Sequence, residues 1–356
     1  MPRLVVLDAL GQAFVDGLQR AWADGDAVLP LDPRLPAPAR SAVLAAARPE
    51  DPVEEGDALV VATSGTSGAP KLAVLTHDAV LASARATSDR LEVDPAADRW
   101  LACLPLAHVG GLSVVTRALL TGTPCTVLDR FDAAAVEHAA ADGCTLTSLV
   151  PTALARIDAD RFRTILLGGQ APPAERPPHV IATYGMTETG SGVVYDGVPL
   201  DDVELRVDAD GQIHVRAPML LRAYRDGRDP KDDEGWFPTD DVGELADGVL
   251  EVHGRRGDLI ITGGENVWPA AIERALLTHP DVAEVAVVGR PDPEWGQRVV
   301  AVVVPLDAAA PPSLDRLRAH VKEVLPAHAA PSVLELTAVL PRTASGKVQR
   351  DRLSEG

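Results

Sequence analysis

The chain has 356 residues, 46% hydrophobic and 24% charged, with a formal net charge of −19; this is globular usage with length for one large domain and a smaller one. So acidic a composition excludes a general nucleic-acid binder, whose affinity rests on basic side chains, and disfavours anionic membrane surfaces. The three cysteines, Cys103, Cys125 and Cys144, show no CxxC spacing and fit no closed disulfide framework, so buried free thiols in a reducing compartment are expected.

The start, Met1-Pro2-Arg3-Leu4-Val5-Val6-Leu7-Asp8, does not read as a signal peptide because Asp8 cuts its apolar run. No run approaches 18 apolar residues. A cytoplasmic protein without membrane insertion is expected. From Leu4 to about Arg48 helix-like segments alternate with a Pro-rich stretch. Asp57–Ala62 is a valine-rich run that predicts a buried strand. A Gly/Ser/Thr loop follows at Thr63–Gly68, then a strand at Lys71–Leu75 and a helix from about His77 to Leu91, capped by Thr76. Strands at Thr126–Leu128, Ser148–Val150, Thr164–Leu167 and Val180–Ala182, with a helix at Ala133–Ala141, predict an α/β layered domain.

After about Tyr195 short strands such as Val203–Val207 and Gln212–Arg216 alternate with turns, which predicts a small, mainly antiparallel β section. Beyond a junction at Gly254–Asp258 come a helix (Pro269–Leu277), strands (Val282–Val288 and Val299–Val304), a helix (Ser313–Val324) and a loop carrying Lys347. The fold class is therefore α/β: a large layered α/β N-terminal domain with a β-rich subdomain over residues 1–254, and a small α+β C-terminal domain over 255–356.

Five segments carry chemistry. Thr63-Ser64-Gly65-Thr66-Ser67-Gly68-Ala69-Pro70-Lys71 combines glycines that free backbone N–H groups, hydroxyl donors and one ammonium, the parts of a phosphate cradle; it lacks the GxxxxGK[ST] order of a Walker A loop. In Tyr184-Gly185-Met186-Thr187-Glu188-Thr189, Thr187 suits a phosphate and Glu188 a divalent cation. Gly235–Glu244 holds Asp240-Asp241, where one buried carboxylate after a turn suits both ribose hydroxyls; Gly254-Arg255-Arg256-Gly257-Asp258 with Gly263-Gly264-Glu265-Asn266 suits a pivot; Pro341–Arg350 sets Lys347 on a Gly-containing loop. Read singly, each also fits an ordinary turn, linker or tail.

Together, in this order and at these separations, the five resemble the adenylate-forming superfamily of acyl-CoA synthetases, luciferases and nonribosomal adenylation domains, from roughly Gly25 to Leu353. Two of the four lysines, Lys71 and Lys347, fall where that family uses lysine. The resemblance implies ATP, Mg²⁺ and coenzyme A as partners of a small-molecule carboxylic acid. It places Thr63, Ser64, Gly65, Thr66, Ser67, Gly68 and Lys71 on the phosphates, and Gly168, Gly169, Tyr184 and Gly185 in the nucleotide site. Thr187 and Glu188 serve phosphate and metal, Asp241 and Arg255 the ribose. Lys347 bridges carboxylate and α-phosphate. The C-terminal domain then rotates and brings Gly263, Gly264 and Glu265 to the CoA channel. Two departures stand out: Thr239-Asp240-Asp241 replaces the usual Thr-Gly-Asp, so the ribose carboxylate is Asp241 or its neighbour, and the hinge position, commonly Asp or Lys, is Gly257.

Leu104-Pro105-Leu106-Ala107-His108-Val109-Gly110-Gly111-Leu112, Gly190-Ser191-Gly192 and the short length resemble the branch of CoA ligases acting on o-succinylbenzoate, an aromatic keto-diacid of menaquinone biosynthesis. That resemblance puts Leu112, Val109, Gly110 and the Gly168-Gly169-Gln170 turn along an apolar slot, and His108, Ser191 and Arg117 near the second carboxylate. A ligase for another aryl or medium-chain acid, an enzyme loading a carrier protein in trans, and a non-catalytic nucleotide-binding homologue are the competing readings; intact Lys71, Glu188 and Lys347 oppose the last. A homodimer stays open.

Overall fold

The computed structural model describes residues 1–63, 70–173, 175–342 and 348–354. The chain divides into two compact units, one of residues 1–205, 214–238 and 246–250, the other of residues 206–213, 239–245 and 251–356.

In the first unit a five-stranded sheet runs Leu4–Leu7, Ala27–Pro30, Asp57–Ala62, Leu72–Thr76, Ala223–Tyr224. Its first three strands are parallel and the last two pair antiparallel. Val60, Val61, Ala73 and Val74 are all but fully buried, because strands covered on both faces are apolar throughout. Thr76 caps the helix His77–Arg90 by accepting from Ala79 N at 3.1 Å. Upstream, the helices Gly11–Ala23 and Ala37–Ala47 are each preceded by a strand that the helix-like pattern of this region does not predict. Leu4–Leu7 and Ala27–Pro30 are four residues each, too short for a period to emerge.

A seven-stranded sheet follows, in the order Val198–Pro199, Gly192–Tyr195, Val180–Gly185, Thr164–Leu167, Leu146–Leu149, Trp100–Ala102, Cys125–Val127. From Val180–Gly185 onward it is parallel; the first two strands are antiparallel. The helix Ala133–Ala141 packs Val136 into a core with Leu101, Leu149, Ile165 and Val180. All three cysteines are free, and burial pushes the thiols of Cys103 and Cys125 up to about 11 and about 12. A four-stranded sheet, Glu204–Val207, Gln212–Arg216, Phe237–Ala246 and Val249–Arg255, forms the β-rich section and supplies residues to both units.

The second unit is α+β. Its sheet orders Glu265–Val267, Ile260–Thr262, Gly296–Pro305 and Val282–Asp292, with Val333–Leu336 parallel to Gly296–Pro305. The helices Pro269–Leu277 and Leu314–Lys322 bury Ile272, Leu276, Leu317 and Val321 against Val287 and Ala301. The long strands run past the apolar stretches as far as Asp292↔Gly296. Asp292 Oδ1 closes that turn by accepting from Glu294 N at 2.9 Å and Trp295 N at 3.0 Å. No helix among the described residues is long and apolar enough to cross a membrane.

Candidate active site

In an open parallel sheet, ligands bind beyond the carboxyl ends of the strands. Three predicted segments of the first unit leave such ends. His108 follows Trp100–Ala102, Gly168-Gly169-Gln170 follows Thr164–Leu167, and Tyr184-Gly185 ends Val180–Gly185. The last two strands are neighbours. Thr187–Thr189 then forms one 3₁₀ turn that leaves Thr187 and Glu188 half-buried. Thr189 holds this turn: it is fully buried, and its hydroxyl oxygen accepts from Met186 N at 2.9 Å and lies 2.6 Å from the Ser191 carbonyl.

Glu188 is fastened twice. Its carbonyl accepts from Leu221 N at 2.7 Å, and its Oε1 accepts from the Tyr224 hydroxyl at 2.9 Å. The predicted phosphate cradle joins two antiparallel strands, Asp57–Ala62 and Leu72–Thr76, and Thr63 N donates to Lys71 O at 2.8 Å across its base. Ser64, Gly65, Thr66, Ser67 and Gly68 lie outside the described residues. Lys71 is exposed, with Nζ 5.9 Å from the centroid of the Tyr224 ring. Among the described residues no group of three or more His, Cys, Asp or Glu gathers around a metal position. One oriented carboxylate is a hard oxygen donor that fits Mg²⁺ when nucleotide phosphates supply further ligands.

The predicted acyl-pocket residues fall into two sets. His108 is the N-cap of the helix Val109–Thr121; burial pushes its pKa below the usual histidine value, against the opposing charge of Asp32. Gly110 is exposed beside it. Leu112, Ser191 and Arg117 are interior. Arg117 Nη2 donates to Ser191 Oγ at 3.1 Å, and the guanidinium lies 4.8 Å from the centroid of a Trp100 ring. Its Nε and Nη1 have no hydrogen-bond partner among the described residues. Val109, Leu112, Thr116 and Arg117 line a partly open cavity of ≈ 10 Å³, room for about one water.

In the second unit, Asp241 and Arg255 come together, with Oδ1 3.7 Å from Nε. Strand alternation turns Asp240 out to solvent, while Thr239 is buried and its hydroxyl accepts from Asp241 N at 3.2 Å. Gly263 and Gly264, at φ +60° and +84°, form the two-residue turn of a hairpin that pairs Thr262 with Glu265. Such turns need positive φ at both positions. Gly257 is exposed, and a Cβ there meets nothing within 4 Å, so the backbone does not demand glycine. Lys347 lies outside the described residues; Arg342 and Val348 pair on either side of it.

The AMP-binding enzyme family model matches residues 18–224, and the model of the AMP-binding enzyme C-terminal domain matches 271–347. The chain belongs to the AMP-binding enzyme family. This AMP-binding enzyme is 41% identical to a probable 2-succinylbenzoate–CoA ligase of Mycobacterium tuberculosis, over 96% of this chain and 94% of that one. It is 35% identical to the 2-succinylbenzoate–CoA ligase of Bacillus velezensis, over 84% of this chain and 68% of that one. Among solved structures it is similar to the o-succinylbenzoate–CoA synthetase of Bacillus subtilis bound to its acyl-adenylate intermediate, with TM-score 0.86, 28% identity, and coverage of 99% and 87%.

Four residues of the AMP-binding enzyme gain importance only in three dimensions. Gly111 is where the chain has no room: a Cβ would sit 2.4 Å from Leu104 O. Trp295 is 54% exposed beside Gly263, whose N–H donates to Trp295 O at 2.9 Å. Together with Ile261 it lines an open groove along the glycine hairpin. Arg350 donates to both oxygens of Glu273 at 2.7 Å. Tyr224 reaches Glu188 from 36 positions away. For Gly111, the neighbouring Gly110 was the available signal, and Arg350 ends the segment that carries Lys347; nothing local marked Trp295 or Tyr224.

Proposed function

We propose that this chain is an ATP- and Mg²⁺-dependent 2-succinylbenzoate–CoA ligase acting in menaquinone biosynthesis in the cytoplasm. The observation that supports this most is its likeness along nearly the whole chain to 2-succinylbenzoate–CoA ligases. A substrate carboxylate oxygen attacks the α-phosphorus of ATP, the bond to the β-phosphate oxygen breaks, and pyrophosphate leaves. The sulfur of CoA then attacks the acyl carbon, the bond to the AMP oxygen breaks, and the thiol proton passes to solvent.

The chain's residues position and neutralise. Ser64–Gly68 and Lys71 hold the β- and γ-phosphates, Thr187 a phosphate oxygen, and Gly168, Gly169, Tyr184 and Gly185 the nucleotide. Asp241, steadied by Arg255, takes the ribose hydroxyls. Glu188 holds Mg²⁺, which offsets the charge of the phosphate oxygens when bound. Arg117 and Ser191 take the second carboxylate once the water-sized cavity beside them widens, with His108, Gly110 and Leu112 along the ring. Gly263, Gly264 and Glu265, with Trp295 beside them, receive the pantetheine arm. Residues 255–356 act as the mobile domain, pivoting about Arg255–Asp258 so that Lys347 serves only the first step.

The test is direct. Purified protein with ATP, Mg²⁺, CoA and o-succinylbenzoate should release pyrophosphate and yield a thioester of the expected mass. Lys347→Ala should slow adenylation about 100–1,000-fold, the scale of one lost preorganised donor. Turnover only with other acids would overturn the substrate. ATP binding without pyrophosphate release from any acid would overturn the reaction.

A further inference from the structure

We propose that Tyr224 is a positioning residue for Glu188, fixing one carboxylate oxygen so that the other is held ready for the divalent cation. The inference rests on the reading of Glu188 as the metal carboxylate.

Tyr224 is 8% exposed, and its hydroxyl donates to Glu188 Oε1 at 2.9 Å. It has little freedom to do otherwise. The two-residue strand Ala223–Tyr224 pairs antiparallel with Leu72–Thr76, setting Tyr224 opposite Ala73. Backbone bonds continue on both sides, from Arg222 N to Val74 O and from Arg225 N to Leu72 O, each 2.8 Å. Beyond it a turn closes with Tyr224 N donating to Arg228 O at 2.9 Å. Leu221 N, three residues earlier, holds the Glu188 carbonyl at 2.7 Å. One short segment thus grips both the backbone and the side chain of Glu188.

The same ring serves the cations around it. Lys71 Nζ lies 5.9 Å and the Arg228 guanidinium 5.3 Å from its centroid, within reach of cation–π attraction. A carboxylate that shares Mg²⁺ with phosphate oxygens must keep one orientation, since Mg²⁺ tolerates little departure from octahedral geometry. Groups around metal ligands that orient them commonly change metal affinity 10–100-fold when lost. A neutral phenol that only turns the carboxylate should sit at the low end.

Tyr224→Phe removes one oxygen and keeps the ring. Binding of Mn²⁺, as a spectroscopic probe, would be followed by electron paramagnetic resonance in the presence of ATP. The Mg²⁺ dependence of pyrophosphate release and thermal melting would be measured beside it, with Glu188→Gln for comparison. We expect Tyr224→Phe to weaken Mn²⁺ binding and raise the Mg²⁺ half-saturation about 10-fold, with melting unmoved and the loss in rate largely restored by excess Mg²⁺. Glu188→Gln should weaken Mn²⁺ further. If Glu188→Gln leaves Mn²⁺ binding intact, the Glu188 reading fails and the proposal with it. If Glu188→Gln weakens Mn²⁺ and Tyr224→Phe does not, Tyr224 alone is overturned. A lower melting point with equal loss at every Mg²⁺ concentration would make Tyr224 a packing residue and also overturn it.

Discussion

Arg117 in the first unit and Arg350 in the second are both largely withdrawn from water, and they are treated oppositely. Arg117 is 1% exposed. Burial pushes its pKa below the ordinary arginine value, and the field of Tyr195 offsets this only in part. It has a serine hydroxyl and an indole for company. Burial works against Arg350 as well, but Glu273, bonded through both oxygens, and Asp258 at 3.7 Å outweigh it and hold its pKa above the ordinary value. Glu273 also accepts from Val287 N at 2.8 Å, so the pair ties helix, strand and the base of the Lys347 segment together. A buried cation matched by carboxylate is a structural tie. A buried cation without one costs stability, and it marks a place where an anionic ligand would supply what the fold does not.

The largest effect should come from Arg350→Ala, which leaves Glu273 without its cation. Removing one partner of a buried pair costs about 3 kcal/mol, and this half-buried pair should cost up to about that much, measurable as a lower urea midpoint. A midpoint unchanged from wild type would erase the contrast. Arg117→Met should behave in the opposite way, with stability kept or raised by about 1–2 kcal/mol. Its kcat/KM for o-succinylbenzoate should fall about 10–100-fold, the worth of a hydrogen bond to a charged group. The keto-monoacid that keeps the activated carboxylate and lacks the other should be turned over equally by both proteins. Equal losses on diacid and monoacid would show that Arg117 does not recognise the second carboxylate.

A third arginine supplies the smallest effect. Arg3 is 74% exposed at its side chain yet bonds the buried Asp26, at 2.7 Å through Nη2 and 2.8 Å through its backbone N. These bonds, the side-chain one first, hold the Asp26 carboxyl below the usual range. A depressed carboxylate pKa contributes stability above the unfolded value, which is lost as pH falls through the folded one. The stability gap between wild type and Arg3→Ala should therefore be constant above about pH 5 and shrink below about pH 4. A gap that keeps its full size at every acidic pH where both proteins still fold would assign it to packing of the arginine stem.

Much of the fold was legible because its elements announce themselves locally. The helices Ala133–Ala141 and Pro269–Leu277 and the strands Thr164–Leu167 and Gln212–Arg216 lie where apolar spacing and turn residues put them. The strands Leu4–Leu7 and Ala27–Pro30 did not, and Ala223–Tyr224, only two residues long, exists because Leu72–Thr76 offers it an edge. The site divides in the same way. Glu188, Asp241 and Lys347 are candidates because they stand in ordered motifs of fitting residue types. Tyr224 and Arg350 have roles that depend on partners 36 and 77 positions away, and a sequence holds no distances.

By itself the sequence determined the layered α/β class, the family likeness and the motif positions, because backbone propensity, apolar period and glycine-rich loops are properties of neighbours along the chain. The tertiary structure alone decided which of Asp240 and Asp241 faces Arg255, which buried arginine finds a carboxylate, and which tyrosine holds Glu188. Those outcomes follow from burial and hydrogen-bond satisfaction, which exist only once distant segments have packed.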